Sequence, residues 1–162
     1  MRFEGIDIKV AGRQFDVVKV IDGCLAMEGC NVSAGCDRDQ CKAVRVFGGR
    51  AKFSAKHTTL HSLKGSGLVI AEGAKAALGH CTVSNNGFSG VIMTGRGSKI
   101  EAARTHIYGN QNSNIVVGQG ANASLRHVTC NSSRQGSGMG VSGPALPEAP
   151  PPHGYPGPLR GH

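Results

Sequence analysis

The sequence predicts an all-β parallel solenoid of about five to six coils. Three observations carry that prediction: a repeat of about 24 residues visible in several columns, short alternating segments within each period, and Gly or Asn at the bends between them. Composition agrees. The 162 residues include 25 Gly, no Trp, five Phe and two Tyr. A core built on large rings is excluded, and many tight turns with small stacked side chains are favoured over a helical bundle.

The columns define the period. Ser66-Gly-Leu-Val-Ile, Ser89-Gly-Val-Ile-Met, Ser113-Asn-Ile-Val-Val and Ser137-Gly-Met-Gly-Val start 23, 24 and 24 residues apart. Lys42-Ala-Val-Arg-Val and Asp16-Val-Val-Lys-Val stand in phase upstream. A glycine column runs Gly23, Gly49, Gly73, Gly97, Gly120. An aliphatic column runs Ile8, Val32, Leu60, Val83, Ile107, Val128, with Asn86, Asn110 and Asn131 each three residues after its aliphatic. Phe3-Glu-Gly-Ile-Asp-Ile matches Met27-Glu-Gly-Cys-Asn-Val at a shift of 24.

Each period reads as two or three short strands. Val44-x-Val46, Leu68-x-Ile70, Val91-x-Met93 and Ile115-x-Val117 alternate as half-buried strands do, and Cys81-x-Val83 and Thr105-x-Ile107 supply a second segment. One period alone cannot bury its inward side chains. Stacking periods at the ~4.8 Å strand spacing buries them and pairs the backbones. The period is too short for a propeller blade, the leucine-rich-repeat line is unfilled, and Gly and Asn within each period argue against helical repeats.

The line Gly-x-x-x-(small)…Cys/Thr-x-Val/Ile-x-x-Asn…Ser-Gly-Val/Ile-x-Val resembles the right-handed parallel β-helix repeat of pectate-lyase-like proteins. The resemblance covers roughly residues 1–141 and implies the right-handed sense. The domain reading is therefore 1–141 as the β-helix and 142–162 as a disordered Pro/Gly-rich tail, which holds all seven prolines. Residues 33–42 replace a tight turn by a longer one. Neither end shows a polar cap, so the ends are expected to pair with more chain, a partner or another copy.

The formal charge is +8, all of it within residues 1–140. Such a balance suits an acidic partner. The lack of basic blocks and the scarcity of aromatic platforms argue against nucleic acid. No apolar run is long enough for a membrane span, and no secretory signal opens the sequence, which points to an intracellular chain if it is complete.

Catalytic features of the look-alikes do not carry over. The calcium-binding carboxylates and Arg base of pectate lyases, the Asp pair of polygalacturonases and that of pectin methylesterases find no matching residues. Glu4 and Glu28 are expected to stack, as are Glu72 and Glu101 approximately, all as solvated groups near bends. No catalytic residue, metal or cofactor is assigned. Gly95-Arg-Gly-Ser-Lys99 lacks phosphate-loop spacing and reads as a turn. The six cysteines read as free thiols, with Cys30 and Cys81 in an inward column, while Cys36 and Cys41 could close the long turn as a disulfide.

The outward column of the main strand row is the candidate binding surface: Lys19, Arg45, Val69, Ile92 and Val116. Three adjacent apolar residues there suggest a contact surface. His106 and His127 are weaker candidates, expected to stack on successive coils, and His57 and His80 form a second expected stack. The leading expectation is a non-catalytic scaffold binding a macromolecule, a protein first, or a second copy of itself. A module that binds or processes acidic polysaccharide, by lyase or epimerase chemistry, is the alternative. The resemblance also admits a ubiquitin-ligase adaptor.

Overall fold

The computed structural model describes residues 1–12, 16–36, 41–131, 133–135 and 139–141. The Pro-rich segment 142–162 and Ser137 lie outside them. The described residues form eighteen short strands and no helix. In chain order they are β1 (Arg2–Glu4), β2 (Asp7–Gly12), β3 (Val18–Val20), β4 (Cys24–Glu28), β5 (Asn31–Cys36), β6 (Val44–Phe47), β7 (Lys52–Lys56), β8 (Thr59–Ser62), β9 (Leu68–Ala71), β10 (Lys75–Gly79), β11 (Thr82–Ser84), β12 (Val91–Met93), β13 (Lys99–Ala103), β14 (His106–Tyr108), β15 (Ile115–Val117), β16 (Asn122–Arg126), β17 (Thr129–Asn131) and β18 (Met139–Val141). Every third strand stacks in parallel. Sheet A is β1-β4-β7-β10-β13-β16, sheet B is β2-β5-β8-β11-β14-β17, and sheet C is β3-β6-β9-β12-β15-β18. This is the expected solenoid, with three strands per coil.

A main core runs through the interior, and a small second cluster of Ala34, Cys36 and Cys41 stands beside it. Sheet C contributes Val18 and Val20, Val44 and Val46, Leu68 and Ile70, Val91 and Met93, and Ile115. Sheet A packs large against small. In its inward columns Phe53 pairs with Leu25 and Ala76, and Ala76 with Ile100, while Ala55 pairs with Met27 and Leu78, and Leu78 with Ala102. From β7 to β13 each strand carries one bulky and one small inward residue, offset on the next coil, whereas β4 turns both Leu25 and Met27 inward. That checkerboard suits the close packing of a narrow interior.

Three bends close each coil. Between sheets A and B the chain turns on one residue with positive φ: Gly5, Gly29, His57, His80, Arg104 and His127, at 47–61°. In the four middle coils the next position, Cys30, Thr58, Cys81 or Thr105, is buried, and its side chain caps the turn. Thr58 Oγ1 donates to the Lys56 carbonyl at 2.9 Å, Thr105 Oγ1 to that of Ala103 at 3.0 Å, and Cys81 Sγ to that of Gly79 at 3.3 Å. Between sheets C and A, Gly73, Gly97 and Gly120 take positive φ as the glycine column predicts, whereas Gly48 rather than Gly49 does so one coil earlier.

The bend from sheet B to sheet C is held by an asparagine ladder. The backbone N–H of Ser62 donates to Asn86 Oδ1 at 2.7 Å, and that of Asn86 to Asn110 Oδ1 at 3.0 Å. Asn86 Nδ2 also donates to Asn110 Oδ1 at 2.7 Å, and Asn110 Nδ2 to Asn114 Oδ1 at 2.6 Å. The Ser-Gly motif follows from this ladder. A Cβ on Gly90 would lie 2.7 Å from Asn110 Nδ2 and 2.6 Å from the Asn114 carbonyl oxygen, so only glycine fits there.

The last coil departs from the expected phase. Ile107 pairs with Cys130, not Val128, and Tyr108 pairs with Asn131. Asn131 therefore lies in β17, outside the Asn86–Asn110 column. Val128 instead continues the buried Thr58-Cys81-Thr105 line.

Candidate functional site

Sheet C presents the predicted row. Lys19, Arg45, Val69, Ile92, Val116 and Gly140 are paired in register on six successive strands. From Lys19 to Val116, strand alternation sends the residues before and after each central one toward the core, so the row faces out. Lys19 is exposed, and Arg45, Val69, Ile92 and Val116 are half-buried.

At the N-terminal end the row is organised around Phe47, which sequence reasoning overlooked. Its ring takes Lys19 Nζ at 5.1 Å and the Arg45 guanidinium carbon at 5.1 Å. Both cations thus sit over the face of one π-system. Arg45 also pairs with Asp16 at 3.6 Å, while its Nε is buried without a partner. The signal was available: Phe47 follows Arg45 by two residues and so shares its face. Ile21, 60% exposed, lies just beyond β3.

Beside the row, Phe88 opens a groove of about 640 Å³ between Ile92 and the bend leading from sheet B. Phe88 is 49% exposed. Lys42, Lys64, Gln111, Asn112 and Gln135 supply polar groups to the walls of the groove. The site as a whole combines an aliphatic strip, one exposed ring and a polar margin. That combination can bury apolar surface while keeping hydrogen-bonding groups at the edge.

The histidines part company. His106 opens β14 and pairs with Thr129. His127 occupies the left-handed turn after β16. They belong to different columns and do not stack, which corrects the expectation. His57 and His80 do stack in that turn, with ring centroids 5.0 Å apart and planes 21° apart.

The carboxylates are dispersed. Glu4 and Glu28 are paired, and Arg2 bridges them at 3.4 and 2.8 Å. Glu72 and Glu101 do not align: Glu101 pairs with Ala77 in mid-strand, away from any bend. Its carboxylate meets Lys99 Nζ at 2.6 Å, and that ammonium holds the Glu101 carboxyl below the usual range. Asp22 is tied to Arg50 at 2.8 Å. Among the described residues no three His, Cys, Asp or Glu side chains meet as a metal-ligand set.

The cysteines correct a second expectation. Cys36 and Cys41 form a disulfide across the long turn, with Cα atoms 6.2 Å apart. Cys24, Cys30, Cys81 and Cys130 are free thiols. Burial pushes the Cys81 thiol up, against weaker opposing hydrogen bonds at the backbone of Thr58 and Gly79.

Three parallel sheets, turn ladders and a continuous stacked core define a β-solenoid repeat protein. The family model for the right handed beta helix region matches residues 42–144, and the chain belongs to that family. Its coils accordingly wind in the right-handed sense. No curated protein and no solved structure matches the chain. No helix among the described residues is long and apolar enough to cross a membrane.

Proposed function

We propose that the chain is a non-catalytic β-helix scaffold that binds a protein partner through the outer face of sheet C. The observation that carries this reading is the in-register strip Val69-Ile92-Val116, flanked by the half-exposed ring of Phe88. Contiguous apolar surface on a rigid sheet is the usual core of a protein contact, with polar groups at its rim. Lys19 and Arg45, already ordered over Phe47, bound one end of the strip. Ile92, at its centre, is the expected anchor.

Ile92→Asp places a charge in the middle of the strip without touching the inward residues of β12. Its melting temperature is expected to stay within a few degrees of the parent. Partner capture, or association with a second copy measured by sedimentation, is expected to fall by more than about tenfold. Unchanged capture and unchanged association in a folded Ile92→Asp variant would remove this face from consideration. Acidic glycan as a partner draws its support from a different surface, on sheet A.

A further inference from the structure

We propose that the outer face of sheet A binds a linear sulfated polysaccharide lying along the solenoid axis. This site is separate from the sheet C strip, and either can fail without the other.

The first observation is a lysine ladder. Lys52, Lys75 and Lys99 pair in register on β7, β10 and β13, all exposed. Their backbones repeat at ~4.8 Å, and like charges directly opposite one another on adjacent strands destabilise a sheet. Among the described residues, Lys99 alone of the three has a carboxylate within ion-pair distance, Glu101 at 2.6 Å. Lys52 and Lys75 have no carboxylate partner among the described residues, so their stacking is repulsive and a bound anion would relieve it.

The second observation is a cationic margin on the other side of the same sheet. Lys56 ends β7 and Arg126 ends β16, with Gly79 and Ala103 between them in the column. Arg104 lies in the adjoining turn column beside the stacked imidazoles of His57 and His80, while Glu28, which pairs with Lys56, is held by Arg2 at 2.8 Å. The turn column is exposed because its residues sit at the bend. Between the two margins the outward residues are Ser54, Ala77, Glu101 and Ser124. Three of these four are small, so the long basic side chains stand above a shallow floor. Cavities of about 560 and 390 Å³ lie along it.

Dimensions select the occupant. The margins are four residues apart along the strand, ~13 Å at the strand rise. One anionic group cannot touch both, so the ligand carries charge along both of its edges. The axial repeat of ~4.8 Å is close to the length of one sugar ring in an extended chain. A densely sulfated glycan satisfies both conditions, whereas a chain with one carboxylate per ring serves one margin at a time. Single-stranded nucleic acid depends on aromatic stacking platforms, and no aromatic side chain projects from β7, β10, β13 or β16 on this face. Glu101 is the one like-charged group on the floor and neutralises Lys99.

The test is titration calorimetry of the full chain against heparin, polygalacturonate and oligothymidylate at low and moderate salt. Heparin is expected to bind most tightly, with affinity falling as salt rises. Lys52→Gln with Lys75→Gln should weaken heparin by more than about tenfold, while removal of two equally exposed charges elsewhere, Lys9→Gln with Arg134→Gln, should change it by less than about twofold. Glu101→Gln should strengthen it by freeing Lys99. All substituted side chains are exposed, and a melting curve for each variant confirms that it is folded. The proposal is overturned if heparin fails to bind, if the two double variants lose affinity equally, if Glu101→Gln weakens binding, or if polygalacturonate or oligothymidylate binds as tightly as heparin.

Discussion

Asn110 shows how much one side chain does in this fold. Its Oδ1 accepts from the backbone and side-chain amides of Asn86, and its Nδ2 donates to Asn114. It is fully buried, so nothing else can replace those partners. Asn110→Ala leaves at least two buried polar groups unsatisfied, at ~1–3 kcal/mol each, and is expected to lower unfolding free energy by about 3 kcal/mol. Urea denaturation measures this. A loss well below that would mean that water enters and replaces the amide. Asn86 and Asn110 were legible as a column because no helix or strand periodicity explains a repeating Asn. Asn114 was not, because it follows Ser113 at a position where two earlier coils carry glycine.

At the scale of the element, the turn between sheets A and B poses one backbone problem and solves it in several ways. Gly5 and Gly29 adopt positive φ freely; His57, His80, Arg104 and His127 adopt it against the clash of Cβ with the following carbonyl. The two stacked imidazoles offset part of that strain, whereas Arg104 has no ion-pair partner among the described residues. Arg104→Gly relieves ~1–2 kcal/mol of left-handed strain and returns ~0.5–1 kcal/mol through the flexibility of glycine in the unfolded chain. The variant should melt a few degrees higher in calorimetry. A lower melting temperature would show that the Arg104 side chain stabilises the coil through its packing. The strands themselves were readable from alternation, yet the third strand of each coil was not singled out. Sheet A uses Ala at half of its inward positions from β7 to β13, and alternating Ala with Lys or Ser makes a weak hydrophobic pattern. Only its packing against Phe53, Leu78 and Ile100 defines it as core.

The whole molecule is a column in which each coil touches only its neighbours, so protection should vary along it. The cysteines sample that variation. Cys24 is exposed, Cys130 is half-buried in the last complete coil, and Cys30 and Cys81 are buried. Cys81 lies in a central coil and its pKa is raised by burial, so its reactive thiolate is scarce as well as hidden. Iodoacetamide under native, non-reducing conditions is expected to label Cys24 first, Cys130 next, and Cys81 only when coils open. Cys36 and Cys41, joined to each other, should take label only after reduction. Mass spectrometry of timed samples gives the order, and early labelling of Cys81 would mean that the central coils open as readily as the last one.

The sequence by itself determined the period, the stacking of coils and which residues of the main strand row face in or out. These follow from side-chain alternation and from the need of each coil to bury its inward face on the next, both of which leave repeating columns. The phase of the last coil was decided only by tertiary structure. Positions 105 and 107 both face inward, so Val128 suited either column by hydrophobicity. Backbone pairing of β14 with β17 placed Cys130 opposite Ile107 and moved His127 and Asn131 with it. The Cys36–Cys41 bond likewise depends on where the chain re-enters after β5. The basic margins of sheet A also arise in three dimensions, because Lys52, Lys75 and Lys99 are 23 and 24 residues apart in sequence and become neighbours only when the coils stack.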